Sequence, residues 1–290
     1  MPDNYLENQI LGEAKPLKKK TKWWVVVIDV VLLVIFLIVL AISSNIAYLS
    51  IRYGEPFFVS GASMYPTLNS TGYKYIKDSD SYRPLTWNDG TNNDGDIVDY
   101  GWAKSKDNWK EDLHRYDIVI AYYPDDYEDK PNYTKLKDSA SLKIKRLIAF
   151  PGETIKIEND ESNPVWGKTT ITYPDGREEV LPNLYTIKDF PDLPEGGKYY
   201  DASRGDRVVK NTINITLNED QYFVMGDNRI GGHSEDSRNV GPLRTSMIQG
   251  KAYVITGMRK LSIVDGKKEP TFMLSKIRMP WDYISLEYKP

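Results

Sequence analysis

Hydrophobic positions fall into two regimes along the chain. From Trp23 to Ile42 twenty residues read WWVVVIDVVLLVIFLIVLAI, with Asp29 as the one charge. At about 1.5 Å rise per residue such a helix spans roughly the 30 Å hydrocarbon core of a bilayer. No polar stripe recurs at the helical period to mark a soluble partner. These residues predict a transmembrane helix over 23–43, with Trp23 and Trp24 suited to the interface and Asp29 close enough to one end to snorkel or protonate. A cleaved secretory signal would carry a shorter apolar run, about 7–15 residues. Lys15, Lys18, Lys19, Lys20 and Lys22 precede the span and Arg52 alone follows closely. That bias puts a basic tail, residues 1–22, in the cytoplasm and the remainder outside.

From Tyr53 onward short runs of Val, Ile and Tyr alternate with Gly, Pro, Asn and Asp, the strand-and-turn pattern. Strands are expected at Pro56–Val59, Tyr116–Tyr123, Ser141–Ala149, Thr154–Ile157, Gln221–Met225 and Lys251–Met258. The fold class is mainly β: an extracytoplasmic β-rich core from residues 53–157 and 219–261, interrupted by an inserted β subdomain at 158–218 and followed by an extension at 262–290. Tyr173-Pro174-Asp175-Gly176, between TTIT and REEV, predicts a hairpin turn. The polar stretch between Leu68 and Arg115 reads as a surface excursion. In the extension, MPWDYISLEY suits either a membrane interface or packing against the core.

Composition narrows the chemistry. The 290 residues carry 38 Lys plus Arg against 41 Asp plus Glu, a net charge of -3, so nucleic acid is not an expected partner. There is no cysteine, which removes thiol nucleophiles and thiolate metal sites, and a count of two histidines argues against a bound transition metal. No cofactor and no metal are expected.

Three polar segments remain as candidates. Ser63 stands in SGASMYPTL, where small neighbours let a substrate backbone approach and Pro66 holds a turn, leaving the Ser63 N–H to face an oxyanion. A serine hydroxyl needs a proton acceptor to become a nucleophile. Lys145, in LKIKRLIAF, lies on the strand face shared by Lys143, Leu147 and Ala149. Directed into an apolar interior, a lysine loses solvation of its charged form and becomes available as a neutral base; an edge-strand lysine that snorkels is the competing description. The third segment, Gly226 to Arg238, follows the apolar QYFVM, and its alternating Asp and Arg can lock a loop through charge-assisted hydrogen bonds.

In this order the segments resemble the bacterial type I signal peptidases. SGASMYPTL is similar to that family's serine box, IKRLIAFPGETI to its lysine box, and GDNR with SEDSR and Gly241-Pro242 to its last box, with RYDIVIAYYP between them. The resemblance runs from about residue 23 to about residue 260. It implies a membrane-anchored serine endopeptidase with the catalytic region outside the bacterial cell membrane. Ser63 would be the nucleophile and Lys145 the general base; Ser234 would hydrogen-bond the lysine amine, and Asp227, Arg146, Asp236 and Arg238 would support the site. The implied partners are secreted preproteins with small residues before the cleavage site, together with membrane lipid. Departures from the family pattern are the longer IGGH loop, Tyr116 in the Arg-Gly-Asp box, Ala149 and Glu153 in the lysine box, and Gly61 where some relatives carry a hydroxyl.

His233 offers the more common Ser-His arrangement, but it falls in the extra loop residues, and relatives that use His place it at the Lys145 position. Two other classes compete: a non-catalytic membrane-anchored assembly factor of the same fold, and a self-cleaving Ser-Lys repressor. Retention of Ser63 and Lys145 opposes the first, and the anchor and acidic balance oppose the second.

Overall fold

The structure is a computed structural model that describes residues 22–86, 88–90, 93–105, 113–158, 160, 167–185, 212–230 and 233–287. Lys15, Lys18, Lys19 and Lys20 of the basic tail lie outside the described residues, as do Gly231-Gly232 and residues 159, 161–166 and 186–211 of the expected subdomain.

The chain divides into two compact units, residues 1–48 and 49–290. The first holds most of helix α1, Trp23–Tyr53. Among the described residues α1 is the one helix long and apolar enough to cross a membrane. It runs ten residues beyond the expected end at 43, because SSNIAYLSIRY contains no helix breaker. Gly54 stops it: with φ +87° the glycine adopts a left-handed conformation, and its N–H closes on Ser50 O at 2.9 Å.

The second unit is β-rich, as the strand-and-turn pattern predicts. Its strands are β1 Glu55–Phe58, β2 Tyr73–Ile76, β3 Ser81–Pro84, β4 Ile97–Ser105, β5 Ile118–Ala121, β6 Lys143–Ala149, β7 Thr154–Glu158, β8 Lys168–Thr172, β9 Glu178–Val180, β10 Ile213–Thr216 and β11 Gln221–Met225. The one-turn helix α2, Ser237–Val240, leads to β12 Leu243–Arg244, β13 Ile248–Val264, β14 Lys267–Thr271 and β15 Ile284–Ser285. Eleven strands form one antiparallel sheet in the order β12-β11-β6-β5-β13-β4-β2-β3, with β1 on β4 and both β14 and β15 on β13. A second sheet runs β10-β7-β8-β9. The predicted hairpin turn joins β8 to β9, with Gly176 N–H on Tyr173 O at 2.9 Å.

Two expectations are corrected. Residues 68–115 are not a surface excursion throughout: β4 lies inside the sheet between β13 and β2, and Val98 is fully buried. β13 is also longer than Lys251–Met258, because register shifts at Ala252/Val254 and Ile255/Gly257 let it bend and keep pairing.

Three apolar clusters position the site. Val59, Met64, Leu68, Ile118, Ile255 and Leu286 pack beneath the Ser63 turn. Burying Met64 and Leu68 completely stabilises that turn by about 1.5–3 kcal/mol each. Leu286 comes from the C-terminal extension, so at this point the extension packs rather than facing outward. A second cluster joins Ile148 and Phe223 of the large sheet to Ile155 and Ile171 of the small one and to Leu181, which follows β9. In the third, Leu49 packs with Trp102, Tyr253 and Val254.

Candidate active site

Ser63 stands on a turn whose carbonyls are held from two directions. Asn69 is buried with φ +64°, a left-handed geometry that asparagine tolerates, and its amide donates to Val59 O at 3.2 Å and Gly61 O at 3.0 Å. Asn228 donates its side-chain amide to Ala62 O at 3.0 Å and its backbone N–H to Ser63 O at 3.1 Å. The Ser63 N–H itself meets no acceptor among the described residues. A tight turn with satisfied carbonyls and one outward donor is what an oxyanion site requires.

β6 delivers Lys145 to this turn. Its Nζ lies 2.9 Å from Ser63 Oγ and donates to Ile144 O at 2.9 Å, and the residue is 4% exposed. Burial pulls the amine down from its ordinary 10.5 to about 8, against Asp236 and Glu235, which favour the charged form. An amine that deprotonates near physiological pH can accept a hydroxyl proton when its lone pair faces Ser63. His233 takes no part in this contact.

Arg146, next along β6, points to Asp227, with Nε on Oδ1 at 2.7 Å and Nη2 on Oδ2 at 2.6 Å. Its Nη1 donates to Tyr116 O at 2.6 Å. Thr67 Oγ1 donates to Asp227 Oδ2 and accepts from Arg146 Nη2 at 3.1 Å. Behind this pair Arg238 grips Asp236, with Nε on Oδ1 at 2.9 Å and Nη2 on Oδ2 at 2.8 Å. Burial by itself would raise the Asp236 carboxyl, but Arg238 and the donors Gly226 N–H and Ser234 Oγ hold it at about 2.

Ser234 departs from expectation. It is buried, but its hydroxyl donates to Asp236 Oδ2 at 2.8 Å rather than bonding the Lys145 amine. The crowding is severe: a Cβ at Gly226 would lie 2.1 Å from Ser234 Oγ and 2.5 Å from Ser63 O, so only glycine fits there. The residue swaps are accommodated. Glu153 takes a two-bond fork from Arg115, at 3.1 and 2.7 Å, and Tyr116 sits at φ +74°, the left-handed region where the family pattern has glycine.

Residues 27–256 match the family model of the signal peptidases, peptidase S26. The chain belongs to this family. Among curated relatives, Signal peptidase I V of Bacillus subtilis (strain 168) is 31% identical over 138 residues, 48% of this chain and 63% of that protein, just under two thirds of its length. Signal peptidase I of Bacillus amyloliquefaciens is 27% identical over 78% of this chain and 84% of its own. A crystal structure of a signal peptidase I from Enterococcus faecalis V583 aligns at 22% identity over 48% of this chain and 95% of that one, with a TM-score of 0.28.

Within this S26 chain, three polar residues at the site were not singled out from sequence. Thr67 lay inside the serine segment but carried no visible signal, since its partners Arg146 and Asp227 are 79 and 160 positions away. Asn69 directly follows SGASMYPTL and Asn228 stands inside GDNR, and neither is given a role from sequence. For Asn69 the available clue was an asparagine directly after a buried leucine, a place where the chain reverses through the left-handed region.

Proposed function

We propose that this S26 family member is a membrane-anchored endopeptidase that removes signal peptides from secreted preproteins. Ser63 Oγ attacks the scissile carbonyl carbon as Lys145 Nζ takes its proton. The developing oxyanion meets the Ser63 N–H. Collapse of the tetrahedral intermediate breaks the C–N bond, and Lys145 returns the proton to the leaving amine. Water then attacks the Ser63 ester, giving its proton to Lys145, which passes it to Ser63 Oγ and restores the enzyme.

The observation that carries this reading is the 2.9 Å contact between Ser63 Oγ and a buried amine held at about 8. Asp236, Arg238, Asp227 and Arg146 keep that amine and the serine turn in register, and Ser234 acts on them through Asp236. Small residues at the first and third positions before the cut suit a substrate whose backbone must reach a crowded serine turn. The α1 helix holds the enzyme in the membrane with its N-terminus in the cytoplasm and its catalytic region outside, so a membrane-held preprotein is met at high effective concentration.

The test is cleavage of a purified preprotein by the full chain in detergent micelles. Ser63→Ala and Lys145→Ala should each abolish product formation. Continued cutting by either variant overturns the dyad.

A further inference from the structure

Among the described residues, the segment after the small sheet reaches the Ser63 turn through the Tyr185 side chain. After β9 the chain runs Leu181 to Tyr185, and Leu181 is buried in the cluster that joins the two sheets, with Leu184 packed against it. Tyr185 at the end of this strap places its hydroxyl on Thr67 Oγ1. It also interacts with the Arg146 guanidinium. The direction of the first bond follows from proton counting. A threonine hydroxyl has one proton and two lone pairs. Thr67 gives its proton to Asp227 Oδ2 and accepts from Arg146 Nη2, so the bond between the two hydroxyls must be donated by Tyr185.

Thr67 is four residues beyond Ser63 in the same turn, and Arg146 follows Lys145 directly on β6. Asp227 precedes Asn228, whose backbone and side chain hold the Ser63 and Ala62 carbonyls. The Tyr185 hydroxyl therefore contacts the junction where the nucleophile's turn, the base's strand and the loop after β11 meet. It completes the coordination of Thr67 from an element that carries neither member of the dyad.

We propose that Tyr185 is a positioning residue: through Thr67, the strap after β9 fixes the Ser63 turn against β6 and so sets the rate of the chemical step. This rests on the reading of Ser63 and Lys145 as the reacting pair. Tyr185 bonds to Thr67 and Arg146 and not to Ser63 or Lys145, so a positioning role predicts a loss in kcat at unchanged KM.

The experiment compares the full chain in detergent with its Tyr185→Phe, Thr67→Val and doubly substituted forms, measuring kcat and KM on a preprotein. Ser63→Ala serves as the zero-activity control. Tyr185→Phe keeps the ring and its packing. It should lower kcat by roughly 3- to 10-fold at unchanged KM, the size set by losing one neutral hydrogen bond. In the Thr67→Val background the same change should have a smaller effect, limited to the remaining contact with Arg146, because the Thr67 acceptor is already gone. Thr67→Ser, which keeps the hydroxyl, should retain the sensitivity to Tyr185→Phe. An unchanged kcat, a change confined to KM, or losses that multiply in the double variant would overturn the proposal. So would a kcat loss that tracks a lowered melting temperature and recovers on cooling, since that marks a loosened fold. Cutting by Ser63→Ala would instead overturn the dyad itself, whatever Tyr185→Phe shows.

Discussion

Arg146 and Asp227 meet as a two-bond fork almost sealed from solvent, with side-chain exposures of 5% and 1%. Such a pair gains little over an apolar substitute, yet breaking it is expensive because the surviving charge stays buried. Asp227→Ala should therefore destabilise the protein by about 3–5 kcal/mol, and the paired change Arg146→Met with Asp227→Leu should recover much of that loss. Urea unfolding of the purified chain checks both. A loss below about 1 kcal/mol, the scale of a solvated pair, would count against it.

Cleavage should depend on the neutral form of Lys145. Burial brings this amine to about 8, so the rate should climb with pH as one proton leaves near that value. Asp236 and Glu235 favour the ammonium form. Glu235→Gln removes one of these charges on an exposed side chain and should move the midpoint of the rate profile to lower pH. The Glu235 carbonyl, which accepts from Tyr123 Oη at 2.6 Å, is unaffected by the change. A midpoint that stays fixed or moves upward contradicts the assignment.

The same amine should cost the fold stability. Unfolded, it titrates near 10.5; folded, near 8. Between these values the unfolded chain binds the extra proton, so stability from this group rises with pH through that window. Below 8 the penalty is present in full. Lys145→Met keeps the stem and removes the charge, and at pH 7 it should raise unfolding free energy by up to about 3 kcal/mol while ending catalysis. Denaturant melts at pH 7 and pH 10 should show the gain shrinking at the higher value; an equal gain at both would refute the linkage.

Leu286 belongs to the extension, yet it is 6% exposed beneath the nucleophile turn beside Met64 and Leu68. Leu286→Ala should cost about 2–5 kcal/mol, as other buried leucine truncations do. Thermal unfolding and activity measured together should fall in step. Wild-type stability in the variant would place this leucine outside the core.

Ser63 and Lys145 are legible in the sequence as a candidate pair because each sits in a local motif with recognisable neighbours. Long-range partners were harder to see. β4 reads as part of a polar excursion because the run KDSDSYRPLTWNDGTNNDGD, ending at Asp96, leads directly into it and Asp99 interrupts its apolar residues. Both carboxylates are buried: Asp96 is satisfied by Lys74, Tyr75 N–H and Asn93 N–H, and Asp99 pairs backbone to side chain with Asn69. Buried acids whose partners lie mostly 21 to 30 positions away look like loop residues when only composition is available. The Ser234 expectation failed for a similar reason. Ser234 Oγ is committed to Asp236 Oδ2 in a place crowded against Gly226, and no spacing rule encodes that contact.

The pieces of the site come from distant parts of the chain: Ser63 and Lys145 are 82 positions apart, and Asn228 reaches Ala62 across 166. Contacts of such span form late in folding, after the loops between them have been closed. A nascent or damaged copy therefore holds a harmless serine and an ordinary, well-hydrated lysine. Only a chain that has finished folding brings the hydroxyl and the buried amine within 2.9 Å of each other.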